Sequence, residues 1–190
     1  MGETEAWRKS EGEMPGVVCR PLRIYPDPRG WLAEIFRQDE ISPELMPVMA
    51  YISVTQPGMS RGPHAHRQQT DYFCFPGPGI FRVVLWDNRP DSPGFGSRRE
   101  FQLGETLPAT LVVPPGVVHG YINVSDHPGV VFNCANHLYG GQGRREEVDE
   151  IRYEHDPHCP FRLECGDWIG RGGQGPMAPA PSPKPSPPTP

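Results

Sequence analysis

What most constrains this chain is a rhythm: short runs of β-branched and aromatic residues, each closed by Gly, Pro, Asn or Asp. "VMAYISVTQPG", "IFRVVLWDNRPDSPG", "TLVVPPG", "GYINVSDHPG" and "GVVFNCANHLYGG" all follow it. Such runs favour a pleated, half-buried surface, and their ends carry turn chemistry, so each reads as a strand. Strands at this spacing imply an all-β sandwich or barrel. The best helical stretch is short: "SPELMPVM", with Ser42 as N-cap, Pro43 at the first helical position and Pro47 as its stop. The ends differ from the middle. Residues 1–16 are polar and acidic-rich and are expected to form a mobile arm, the folded domain spans 17–168, and 169–190 is a Gly/Pro-rich tail expected to be disordered.

Composition removes several function classes. The net charge of −5 gives no basic footprint for nucleic acid, and the pair Arg144-Arg145 is followed at once by Glu146-Glu147. No apolar run reaches membrane-spanning length, and the start "MGETEAWRKS" has no hydrophobic signal region. Gly2 is followed by Ala6 where a myristoylation motif needs Ser or Thr. The five cysteines, Cys19, Cys74, Cys134, Cys159 and Cys165, form no CxxC pair and read as reduced, mostly buried thiols. A soluble, cytoplasmic protein is expected, with neither nucleic acid nor membrane as partner.

The chemistry is concentrated in "RGPHAHRQQTDYF", Arg61 to Phe73. On a strand, side chains alternate faces, so His64 and His66 point the same way and can act on one object, a metal ion or a substrate proton. Counting from Gly58 gives G-x5-H-x-H-x4-D through His64, His66 and Asp71. Later, "PPGVVHGYIN" gives P-x-G-x-x-H-x3-N through Pro114, Gly116, His119 and Asn123. The pair resembles the two motifs of the cupin superfamily, with Asp71 where Glu is usual. That resemblance implies a cupin double-stranded β-helix, or jelly roll, with both motifs facing its interior. His64, His66, Asp71 and His119 are then candidate ligands for Fe, Mn, Ni or Zn, or else the lining of a metal-free pocket.

Further segments narrow the resemblance. "DPRGWLAEIFR" is similar to the D-x-R-G-x-F-x-E-x-F segment of dTDP-4-dehydrorhamnose 3,5-epimerases (RmlC-like cupins), "RGPH" to their R-G-L-H, and "WDNRPDSPGFG" to their D-x-R-x-x-S-P-x-F-G. "VPPGVVHGY" resembles their P-x-G-x-x-H-G-F and "IRYEHDP" their I-R-W-N-D-P. The order agrees from Asp27 to Trp168. The resemblance implies a homodimeric isomerase of deoxysugar biosynthesis, which epimerises a nucleotide-activated 4-keto-6-deoxy sugar and requires no cofactor. It implies His64 as the base that removes a proton next to the ketone and Asp156 as the carboxylate that orients it. Arg61 would meet the diphosphate. Arg29 and Glu34 would help hold the nucleotide, partly across the dimer, and His119 would lie at the substrate.

Three positions depart from the family. Its enolate-stabilising lysine falls at Asp71 or Tyr72, and the only lysines are Lys9 and Lys184. Its proton-donating tyrosine falls at Phe132, leaving Tyr139 as the substitute. His66 stands where R-G-L-H-x-Q has Gln. "RGPHAH" also resembles the R-G-x-H-A-H of sugar-nucleotide 3,4-ketoisomerases. A ketoisomerase, a metal-dependent cupin in which the metal takes over the lysine's task, and a non-catalytic sugar-binding cupin therefore stand as alternatives.

Overall fold

The computed structural model describes residues 14–163, twelve strands and two single 3₁₀ turns, Pro43–Leu45 and Gln142–Arg144. The expected tail, most of the expected arm and Cys165 lie outside the described residues. The strands are β1 (Val18–Pro21), β2 (Ile24–Asp27), β3 (Gly30–Ala33), β4 (Met49–Thr55), β5 (Ser60–Ala65), β6 (Asp71–Phe75), β7 (Ile80–Asp87), β8 (Arg98–Gly104), β9 (Ala109–Val113), β10 (Val117–Asn123), β11 (Gly129–Ala135) and β12 (Ile151–Arg152).

They form two antiparallel five-stranded sheets, ordered β1-β9-β6-β11-β4 and β12-β5-β10-β7-β8, with β2-β3 as a separate ribbon. Two such antiparallel sheets facing each other make a jelly roll, the architecture that the two cupin-like motifs imply. Inward residues of both sheets meet in one core: Phe73, Phe75, Leu111 and Val131 from the first, Phe81, Leu85, Leu103 and Tyr121 from the second. Phe75, Phe81 and Tyr121 pack with centroids 5.4–5.7 Å apart, filling the middle of the barrel with rings.

One boundary moves. Met14, assigned to the mobile arm, is fully buried in this core. Gly16, at φ +82°, turns the chain so that the Val17 N–H reaches the Met14 carbonyl at 3.1 Å. Met14 is the apolar residue that this turn tucks under the sheet.

The strand β10 is buried at every residue because both of its faces are covered. Val117, His119 and Tyr121 face the interior. Val118 faces outward into a second cluster with Ala65, Val84 and Trp86, against which Tyr153, Phe161 and Leu163 pack. The segment after β12 is thus pinned to the outside of the second sheet, with Phe161 5.7 Å from Trp86 and 5.1 Å from Tyr153 between ring centroids. Aromatic pairs of this kind add about 0.5–1.5 kcal/mol each beyond area burial.

Candidate active site

The register of β5 and β10 sets His119 directly opposite His64. Two residues before His64, Gly62 has φ +79°, and a Cβ there would fall 2.6 Å from the His119 carbonyl oxygen and 2.9 Å from His64 Nδ1. Only glycine allows this approach, which brings the His64 and His119 rings to 4.3 Å between centroids. His66 follows on the same face, its ring 5.6 Å from that of His64. Asp71 enters from the other sheet at the start of β6. One nitrogen or oxygen from each of His64, His66, Asp71 and His119 lies within 4.8 Å of the others.

Asp71 is sealed from solvent. Its Oδ1 accepts from the side-chain amides of Gln69 (2.8 Å) and Asn133 (2.7 Å). Its Oδ2 lies 3.0 Å from His119 Nε2 and 3.2 Å from His66 Nε2. Yet among the described residues Oδ2 and His119 Nε2 have no hydrogen-bond partner. His66 Nδ1 donates to the Asp149 carbonyl, and His119 Nδ1 to the Val117 carbonyl at 3.0 Å. The Asp149 carboxylate accepts the main-chain N–H groups of Arg67, Gln68 and Gln69, each at 2.8 Å, and so fastens the loop behind His66.

The cluster asks for positive charge. Burial pushes the Asp71 carboxyl up, but His119 and His66 outweigh it and hold the group well below the usual carboxylate range. Burial likewise opposes a charge on His66, but Asp71 and the Asp149 carbonyl raise its pKa above the ordinary imidazole value. His64 goes the other way: burial, then the neighbouring His119, hold it well below that value, so its ring stays neutral near pH 7. Three imidazoles and a carboxylate with an orphaned oxygen fit a divalent metal of the Fe, Mn, Ni or Zn kind.

A cavity of about 550 Å³ opens onto this cluster. It is lined by His64, His66 and Gln69, by Arg61 and Arg152, and by Tyr51, Tyr121 and Tyr139. Arg61 is braced by Thr55 Oγ1 (3.2 Å) and the Val54 carbonyl (3.1 Å). Tyr51 stands on β4, in the sheet opposite His64. Its hydroxyl accepts from Asn133 Nδ2 at 3.0 Å, which leaves its own hydrogen free. Burial and then the Asp71 charge push that hydroxyl up to about 12, so it keeps its proton at neutral pH.

Several residues lie elsewhere than the sequence implied. Asp156 is exposed in the turn after β12, its Oδ1 accepting the His158 N–H at 2.8 Å, and it does not line the His64 cavity. Tyr153 and Phe161 anchor both sides of that turn to the outer sheet face, which carries Asp156 away from the barrel mouth. The carboxylate of "IRYEHDP" that lines the cavity is Glu154. His119 is 2% exposed and sits behind the cavity wall. Arg29 is solvent-exposed on the β2–β3 turn, paired with Asp27 at 2.5 Å. Glu34 lines a separate cavity on the other side of the first sheet, beside Arg20, Arg37 and Tyr72. Phe132 is on the face of β11 opposite the buried Asn133, so Asn133 is the inward residue. Of the two candidates for the lysine's position, Tyr72 turns outward to the Ile35 carbonyl, and Asp71 takes the interior. Tyr51, Gln69, Asn133, Asp149, Arg152 and Glu154 were missed. Tyr51-Ser53-Thr55 alternating with Ala50-Ile52-Val54 was the readable signal for Tyr51.

A family model described as dTDP-4-dehydrorhamnose 3,5-epimerase matches residues 11–154. The chain is 36% identical over 141 residues to the "Probable low-salt glycan biosynthesis epimerase Agl13" of Haloferax volcanii, covering 74% of this chain and 87% of that one. It is 36% identical over 141 residues to the spore coat polysaccharide biosynthesis protein SpsL of Bacillus subtilis, covering 74% and 89%. The crystal structure of a dTDP sugar isomerase from Desulfovibrio desulfuricans is similar with a TM-score of 0.67 at 28% identity, over 79% of this chain and 92% of that one.

Proposed function

The chain belongs to the dTDP-4-dehydrorhamnose 3,5-epimerase family, and from that premise we propose that it inverts a carbon beside the ketone of a nucleotide-linked 4-keto-6-deoxy sugar, with His64 as the base. The observation that carries this reading is the imidazole in "RGPH", held neutral and facing a cavity large enough for a sugar. A neutral ring keeps the lone pair that removes the hydrogen at C3 or C5. The electrons move into the C4 carbonyl as an enolate, and a proton delivered to the other face inverts the centre. His64 and Tyr51 stand on opposite sheets of the same cavity, which suits attack on one face and delivery to the other. Tyr51, whose hydroxyl is held by Asn133, is the first candidate acid, and Tyr139 on the same cavity is the second. Arg61 and Arg152 supply cations for the diphosphate.

The proposal includes a cytoplasmic homodimer, in which Arg29 and Glu34 would act on the partner's nucleotide. The four described cysteines are free and buried, as in a reducing compartment. Trp31 and Leu32 on the β2–β3 ribbon, and Ile52 and Val54 on β4, are each more than half exposed, apolar groups that a second protomer would cover.

The experiment is incubation with a dTDP-4-keto-6-deoxyglucose substrate in deuterated water, followed by NMR at C3 and C5. Deuterium is expected at one or both carbons, and His64→Asn is expected to slow it by about 10²–10⁴-fold. Background exchange from the folded wild-type protein would remove the reading.

A further inference from the structure

We infer that His66, Asp71 and His119 hold one divalent transition-metal ion. The argument starts from which atoms carry hydrogens. A carbonyl oxygen can only accept, so the Val117 carbonyl fixes the hydrogen of His119 on Nδ1, and the Asp149 carbonyl does the same for His66. A neutral imidazole so held presents a lone pair at Nε2. Both Nε2 atoms face a single atom, Asp71 Oδ2, at 3.0 and 3.2 Å. Three electron-rich atoms thus converge inside a protein with no hydrogen bond from His119 Nε2 or Asp71 Oδ2 to any described group. Asp71 and His119 are 0% and 2% exposed, so bulk water does not screen them.

The surroundings prepare these atoms for an ion. Gln69 and Asn133 occupy Oδ1 and leave Oδ2 alone as the donor. Backbone carbonyls holding the far nitrogen of each ring are the usual outer support of metal-bound histidine. Spacing agrees as well: two ligand atoms about 2.1 Å from an ion and at right angles about it lie about 3.0 Å apart. His64, the fourth member of the cluster, lines the cavity and is left free to face the substrate.

The charge explains why the ion belongs to this chain in particular. Neither Lys9 nor Lys184 is among the described residues, and of Asp71 and Tyr72, the two positions where the resemblance puts the family's lysine, Asp71 is the one that faces the interior. A carboxylate with a divalent ion restores the single positive charge that a lysine would give. This role, though not the site, rests on the epimerase reading; when bound, the ion supplies the positive charge toward which an enolate oxygen develops.

The test is titration of chelator-stripped, full-length protein with Co²⁺, read by visible absorption. One equivalent per chain with ligand-field bands is expected, together with a rise in melting temperature on adding Zn²⁺. Asp71→Asn and His66→Gln should each weaken binding by about a hundredfold or more. Absence of bands and of any thermal shift in excess metal, or undiminished binding in both folded variants, overturns the inference. If either variant fails to fold, nitrogen hyperfine couplings of Cu²⁺ bound to wild type decide it: two imidazoles support the site, none removes it. Deuterium exchange without metal binding would sink this inference and spare the epimerase reading, and metal binding without exchange would do the reverse.

Discussion

At Asp87 one carboxylate organises a whole turn. Its oxygens accept from Arg89 Nε (2.8 Å) and Nη2 (2.6 Å) and from the Ser92 hydroxyl (2.6 Å), while the side chain is fully buried. Burial pushes its pKa up, but the Arg89 and Ser92 contacts outweigh it, and the net shift is downward. A depressed carboxyl contributes stability that is present above the unfolded value and lost as pH falls through the folded one. Asp87→Asn should therefore cost about 2–4 kcal/mol near pH 7. In denaturant titrations the gap from wild type should close as pH drops below 3.8 toward the lower native value. Tyr51→Phe tests the proposed acid: product formation should fall while deuterium washes into recovered substrate, because abstraction continues and delivery to the far face does not. Unchanged product formation would pass the role to Tyr139. Strand alternation made His64 and His66 legible in the sequence, and the resemblance to the two cupin motifs added Asp71 and His119. Asp156 was not legible. "IRYEHDP" has one residue more than I-R-W-N-D-P between its aromatic and Asp-Pro, and the destination of a loop carboxylate depends on what anchors the loop.

Among the elements, the segment following β12 couples the back of the second sheet to the cavity mouth. Phe161 packs on Trp86 from outside and Tyr153 packs on Phe161, while Arg152 and Glu154 in the same stretch line the cavity. Phe161→Ala should lower stability by about 2–3 kcal/mol, below the full cost for a buried ring because Phe161 is half-buried. Because the loosened segment carries cavity residues, KM should rise with little change in kcat. Hydrogen exchange confined to residues 151–163 would locate the effect. The strands β4, β7, β9, β10 and β11 were readable from their apolar runs, whereas β8 was not. "RREFQLG" is an edge strand, and its charges suit an edge, with Arg82 and Glu100 paired at 2.6 Å across to β7. The helical signal of "SPELMPVM" shrank to the 3₁₀ turn Pro43–Leu45, since Pro47 leaves no room for a second turn and Ser42 makes no side-chain cap.

For the whole molecule, the edge of β4, unpaired among the described residues, and the apolar residues on its outer face argue for the proposed dimer. Sedimentation at micromolar concentration should give two chains per particle. Ile52→Glu with Val54→Lys should give one, with each protomer's own stability changed by no more than about 0.5 kcal/mol per site, as for surface positions. A wild-type monomer would count against the assembly. The same strand turns Ser53 to the Tyr121 hydroxyl at 2.9 Å and Thr55 to Arg61, and presents Ile52 and Val54 outward. It is upholstered inside out, with hydroxyls lining the barrel and aliphatic groups on its outer cover. A design procedure that rewards greasy interiors and wet exteriors would rewrite Ser53 and Thr55 as valine and Ile52 and Val54 as threonine. The redesigned chain would be a sturdier single barrel, and it would have lost both the grip on its arginine and the face it offers a second copy.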